Sequence, residues 1–176
     1  MRASAARFQE VQLVFRARSR ALPPRRAMPP APAAAAVEAP PAADPCSLAN
    51  PAEAWATHLD LEIDVDFDSQ TLRCWARQRV ERAAPGGCLV LDSRALALDG
   101  PARVGGADAD AARGPASAAL GEALSIALPP GVGAIDVELR WSAPPGAVAA
   151  QWLAPAQTAG GKLPFFFTQC QAIHAR

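Results

Sequence analysis

Residues 57–67, Thr-His-Leu-Asp-Leu-Glu-Ile-Asp-Val-Asp-Phe, decide the fold class. Leu59, Leu61, Ile63, Val65 and Phe67 alternate with Asp60, Glu62, Asp64 and Asp66, the period of two expected of a strand with one buried face. Asp68-Ser-Gln-Thr71 has turn chemistry. Beyond it Leu72, Cys74, Ala76 and Val80 alternate with Arg73, Trp75, Arg77 and Arg79. The two runs read as an antiparallel hairpin. The turn suggests that Phe67 faces Leu72, Val65 faces Cys74 and Leu59 faces Val80. On the other face Asp66 would meet Arg73, Glu62 would meet Arg77 and Asp60 would meet Arg79. Opposite charges placed across a wet face support that pairing, and a one-residue slip would carry acids into the core.

Shorter strands are expected on the carboxyl side. Cys88–Leu91 ends at Asp92, a weaker strand falls within 95–104, and Leu124–Leu128 stops at Pro129-Pro-Gly. Ile135, Val137, Leu139 and Trp141 then alternate with Asp136, Glu138 and Arg140. Residues 105–119, rich in Gly, Ala and Asp, read as a loop. Many short strands, Gly/Pro turns and no long helical period predict an all-β, sandwich-like antiparallel domain.

The other side of the hairpin is a different kind of chain. Residues 1–37 hold seven arginines and one acid, Glu10, so they carry about +6 by simple counting. The remainder carries about −6, so the formal net charge of zero describes neither part. Residues 1–28 are Arg-rich and acid-poor, which fits either a mitochondrial transit peptide or a disordered basic tail. Residues 29–43, with prolines at 29, 30, 32, 40 and 41, read as a linker, and the folded part is expected to span 44–176. Nucleic acid is not expected as a partner, because the tail lacks stacking aromatics and the body is acidic. No apolar run approaches the ~20 residues of a transmembrane helix. Cys46, Cys74, Cys88 and Cys170 form no CxxC pair, and free thiols in a reducing compartment are the simpler expectation.

Catalytic signatures are missing. The histidines are His58 and His174, with no HExxH, P-loop, GxGxxG or GxSxG. Asp60, Glu62, Asp64 and Asp66 alternate along a strand instead of lining a loop, so they read as a salt-bridged face and not a calcium site. On residues alone this is a binding or structural domain, with no peptidase activity of its own expected.

A more specific signal lies near the end. Gln151-Trp-Leu-Ala-Pro-Ala-Gln-Thr-Ala-Gly160 and Pro164-Phe-Phe-Phe-Thr-Gln-Cys-Gln-Ala-Ile-His-Ala-Arg176 give QWLxPxQTxG and PxxFxQCQAIHxR. Together with Asp44-Pro-Cys-Ser-Leu-Ala-Asn-Pro51, HLxLxxxVDF at 58–67 and Leu89-Val-Leu-Asp92, these motifs resemble the leukotriene A(4) hydrolase and aminopeptidase B family of zinc metallopeptidases. The resemblance spans about residues 44–176.

It implies the amino-terminal β-domain of an enzyme that removes amino-terminal residues from peptides. That domain would pack against a thermolysin-like catalytic domain of the same polypeptide. It also implies that Gln169 and Gln171 lie on a loop reaching the active-site cleft, where one holds the peptide's amino end or backbone. Glutamine suits that task, offering an acceptor and two donors; local loop hydrogen bonding is the alternative for each. The family's zinc site would lie beyond Arg176, so no catalytic or metal-binding residue is expected here and zinc would belong to the full-length enzyme. Arg176 matches a family arginine without an assigned role. The resemblance and the thiols imply a cytoplasmic protein, and the arginines offer a mitochondrial alternative. A stand-alone β-domain that binds a peptide or protein partner is the competing function.

Overall fold

A computed structural model describes residues 11–17 (backbone only), 40–83 and 85–169. Its strands are β1 (Val11–Ala17), β2 (Ala54–Asp66), β3 (Thr71–Arg82), β4 (Cys88–Ser93), β5 (Ala97–Leu98) and β6 (Ala102–Val104). They continue with β7 (Ala107–Ala109), β8 (Ala111–Arg113), β9 (Glu122–Ala127), β10 (Gly133–Ala143), β11 (Ala150–Leu153) and β12 (Phe165–Thr168).

Two sheets and a ribbon result. The large sheet has the order β1-β2-β3-β10-β6-β7, with β5 also on β10; the second is β4-β9-β8; the ribbon is β11-β12. All the pairings are antiparallel except β1 with β2. Val80, Val137, Leu139, Ala102 and Val104 of the large sheet bury against Leu89, Leu124, Ile126 and Leu128 of the second. This is the expected all-β sandwich, with side chains of two inner faces forming one core. Val65, Leu72, Cys74, Ala143 and Ala150 form a smaller cluster beneath the ribbon.

The β2–β3 hairpin forms, but two residues away from the predicted register. Val65 faces Leu72, Asp60 faces Arg77 and Asp66 faces Thr71. A shift of two preserves which face each side chain occupies, so the alternation alone does not distinguish the registers. Asp66 decides between them. Its Oδ1 accepts the N–H groups of Asp68 and Ser69 at 3.0 and 3.1 Å, winding residues 67–70 into the loop. Gln70 completes the turn at φ 51°. These bonds, led by the Ser69 N–H, also hold the Asp66 carboxyl below its ordinary pKa. A bulge between Ala56 and His58 shifts the pairing again.

The charged face departs from the solvated surface expected. Asp60 is only 5% exposed, accepting from Arg77 at 3.0 Å and lying 3.1 Å from His58 Nε2. A carboxylate is kept there because both oxygens are engaged. The predicted partners also change: Arg79 reaches Asp136 on β10 at 3.2 Å, whereas Arg73 does reach Asp66, at 3.5 Å.

One further expectation is corrected. Residues 105–119 are not simply a loop, since β7 and β8 lie there. Gly105 and Gly106, at φ 57° and 87°, make the two-residue turn that folds β7 back on β6. Within 1–28 the backbone of residues 11–17 forms β1, which pairs in parallel with the outer edge of β2. Residues 1–10 and 18–28 of the Arg-rich stretch, residues 29–39 of the linker, residue 84 and residues 170–176 lie outside the described residues.

Candidate functional site

The site predicted from sequence follows the β11–β12 ribbon. The backbone fixes its two faces, because residues opposite each other across an antiparallel pair point the same way. Trp152 faces Phe166, Gln151 faces Phe167 and Leu153 faces Phe165. On the inner face the rings of Trp152 and Phe166 lie 4.6 Å apart, and Trp152 meets Phe67 edge-on at 5.6 Å. Phe67, just past the end of β2 at the Asp66 turn, thus adds an aromatic contact between the hairpin and the ribbon. On the outer face Phe165 and Phe167 are 55% and 40% exposed, with centroids 6.3 Å apart.

The connection between the strands explains the QWLxPxQTxG pattern physically. Trp152 anchors the ribbon. Pro155–Gln157 forms a single 3-10 turn, and Gln157 Oε1 accepts the Ala154 N–H at 2.9 Å. The Thr158 hydroxyl lies 2.8 Å from the Pro155 carbonyl and 2.7 Å from that of Leu163, serving one at a time. Gly160 and Gly161, at φ 82° and 61°, turn the chain back. These residues build a scaffold.

At its end stands Gln169. Its N–H donates to the Ala149 carbonyl at 3.0 Å, extending the ladder one step past β12, and the residue is exposed. Gln171, the second predicted residue, lies outside the described residues, as do Cys170, His174 and Arg176. Beside the ribbon an open groove of about 380 Å³ runs along Pro145–Val148, Gln151 and Trp152. The Trp152 Nε1 is buried and donates no hydrogen bond to the described residues. Under the ribbon, burial pushes the Cys74 thiol up to about 12, with the nearby Asp99 charge adding to the shift. Cys46, Cys74 and Cys88 are free thiols.

Among the described residues no three His, Cys, Asp or Glu side chains come together as metal ligands, and zinc does not fit any group of them. No helix among them is long and apolar enough to cross a membrane.

No protein-family model matches the chain. Similar proteins exist nonetheless. Leucine aminopeptidase 2 of Yarrowia lipolytica is 37% identical over 137 residues, covering 77% of this chain and 21% of that protein. Leukotriene A-4 hydrolase of Xenopus laevis is 35% identical over 138 residues, covering 76% and 22%. The native leukotriene A4 hydrolase of Saccharomyces cerevisiae superposes with a TM-score of 0.69 at 27% identity, covering 76% of this chain and 22% of that one. The chain is homologous to the amino-terminal part of the leukotriene A-4 hydrolase and leucine aminopeptidase 2 proteins.

That family is one of zinc peptidases. The chain spans about a fifth of the length of these relatives. The yeast enzyme has also been solved with Bestatin bound, and this chain matches that structure equally well, with a TM-score of 0.69.

Proposed function

We propose that this chain is the substrate-facing amino-terminal β-domain of a zinc aminopeptidase that removes amino-terminal residues from peptides. Zinc and the water-activating groups belong in this reading to a catalytic domain of the same polypeptide. The contribution of this chain is positioning: Gln169 and Gln171 hold the peptide's amino end or backbone by amide hydrogen bonds. The observation that carries this is the placement of Gln169. It is exposed, yet its backbone is fixed by the Ala149 bond at the end of a ribbon clamped by Trp152. An amide that orients a substrate needs that combination of access and a rigid base.

The test is the native gene product, assayed for intact mass, zinc content and release of leucine from a leucyl peptide. A mass well above 18.3 kDa, bound zinc and activity are expected. Gln169→Ala and Gln171→Ala should then each weaken peptide use by about tenfold in kcat/KM, the loss of roughly one hydrogen bond. A zinc-free, inactive product overturns the reading.

The second reading, a stand-alone module that binds a peptide or protein, is favoured by exposed Phe165, Phe167 and Leu163. A zinc-free product that unfolds cooperatively as a soluble monomer supports it. The proposed location is the cytoplasm, with mitochondria as the alternative through residues 1–28. A fluorescent protein fused to residues 1–43 separates the two.

A further inference from the structure

An edge strand exposes a row of unpaired backbone N–H and C=O groups, and extended segments add to such rows. The outer edge of β2 is such a row, and in this fold it is covered by the chain itself. Val11–Ala17 pairs with Leu59–Val65 in parallel, Val11 opposite Leu59 and Ala17 opposite Val65. A parallel pair needs a long connection, which residues 18–53 supply.

The apolar positions on the two sides of that pairing correspond. Val11, Leu13, Phe15 and Ala17 stand in register with Leu59, Leu61, Ile63 and Val65, so the apolar alternation of β2 continues across the sheet. Between them Gln12, Val14 and Arg16 stand in register with Asp60, Glu62 and Asp64. The cation among them, Arg16, falls at Asp64. That placement meets a need, because Asp64 Oδ1 is buried and accepts no hydrogen bond from the described residues. A buried carboxylate oxygen without a partner is costly, so this register position favours a segment that brings a cation to it.

We propose that the outer edge of β2 is a strand-acceptor site, selective for a parallel extended segment with apolar residues at alternate positions and a cation opposite Asp64. Val11–Ala17 is its occupant within the same chain. The site is independent of the ribbon and of the peptidase reading. The arginine-rich beginning of the chain then carries a competitor for this edge. Any other strand that is to add there must displace it, and any receptor that is to read residues 11–17 must first peel them from β2.

Residue-resolved amide hydrogen exchange on the unaltered chain tests this. Along Leu59–Val65, amides facing β3 and amides facing outward alternate. Both sets should exchange slowly; outward amides that exchange at the rate of open coil overturn the proposal. Selectivity is read from Arg16→Glu, which places like charges opposite Asp64. It should speed exchange of the outward amides about fivefold, the effect of a like-charge cross-strand pair, while Arg16→Lys leaves it unchanged. Equal exchange in all three proteins removes the claimed cation preference. Leu13→Cys combined with Leu61→Cys distinguishes the occupant's origin. A disulfide within one chain supports the proposal; one between two chains, or none, overturns the assignment of Val11–Ala17 as the occupant.

Discussion

Asp92, the last residue of the Leu89–Asp92 motif, accepts hydrogen bonds from the Ser47 hydroxyl and the Leu48 N–H, both at 2.7 Å, across forty-five and forty-four residues of chain. The leading segment 44–51 and the β4 motif are therefore two halves of one fastening. Glu53 adds a second stitch, accepting from Asn50 at 2.7 Å and from the Cys88 N–H at 3.3 Å. Removing the acceptor strands two donors. Asp92→Ala should cost about 2 kcal/mol and Ser47→Ala about 1 kcal/mol in urea unfolding. A double-mutant cycle should show the pair coupled, and additive effects would separate them.

The Asp60 cluster makes a sharper forecast. Its carboxylate is held by Arg77 and His58 on a face where all three are largely covered. Truncating the shared partner takes the carboxylate away from a guanidinium with 17% side-chain exposure. Asp60→Ala should cost about 3 kcal/mol, the range for breaking a buried pair from one side. A loss below 1 kcal/mol in chemical denaturation would show that water replaces the carboxylate.

Cys74 predicts a response to base. Its folded-state pKa of about 12 lies above the ordinary 9.0, so folding favours the protonated thiol. This contribution to stability is complete below about pH 9 and is lost as pH rises toward 12. At neutral pH a thiol reagent should label exposed Cys46 and spare Cys74 until the chain is denatured. Rapid labelling of Cys74 in the folded protein would mean that the ribbon lifts from the cluster beneath it.

Trp152 should behave as the ribbon's anchor. Trp152→Ala removes the ring that meets both Phe67 and Phe166, with an expected loss of roughly 3 kcal/mol. Phe167→Ala, on the exposed face, should change stability by less than about 0.5 kcal/mol. Thermal unfolding of the two variants side by side checks the difference.

Two glycines separate backbone strain from crowding. Gly106 has φ 87° and open space around an added Cβ, so Gly106→Ala should cost about 1 kcal/mol for the left-handed conformation alone. Gly121 has φ 80°, and a Cβ there would lie 2.3 Å from the Ser93 carbonyl oxygen. Gly121→Ala must also move backbone, so its loss should exceed that of Gly106→Ala when the two are unfolded in parallel.

The hairpin shows where reading by alternation stops. Periodicity of two assigns faces, and Val65, Leu72, Cys74 and Val80 are buried as their alternation requires. It carries no information about a shift of two, which was set by a side-chain-to-backbone bond at Asp66. Asp60 was read as wet because acids on an alternating strand normally are. Its burial with Arg77 and His58 on its two oxygens is a tertiary fact. β7 and β8 were missed because Ala, Gly and Asp have little intrinsic strand preference, although Gly105-Gly106 between Val104 and Ala107 is a hairpin turn written in the sequence.

The ribbon was legible differently. Its motif pointed to a family, and Gln169 was picked out on that ground. The physical work of the motif, in which Trp152 packs while Gln157 and Thr158 fasten the bend, needed the coordinates. Val11, Leu13, Phe15 and Ala17 alternate in the sequence, but a parallel partner leaves no turn to show that they would pair with β2.

Arg82 donates to three backbone carbonyls, those of Gly133, Pro129 and Val132, at 3.0–3.2 Å. Arg94 does the same for Ala118 and Ala119. These fastenings join a charge to peptide dipoles and involve no counter-charge. Added salt weakens attraction between exposed opposite charges over a Debye length of about 8–10 Å, while short charge-assisted hydrogen bonds at contact distance are much less sensitive to it. Ionic strength therefore divides the molecule: raising it loosens Arg73–Asp66 and Arg79–Asp136 on the large sheet and leaves the loops bound by arginine closed.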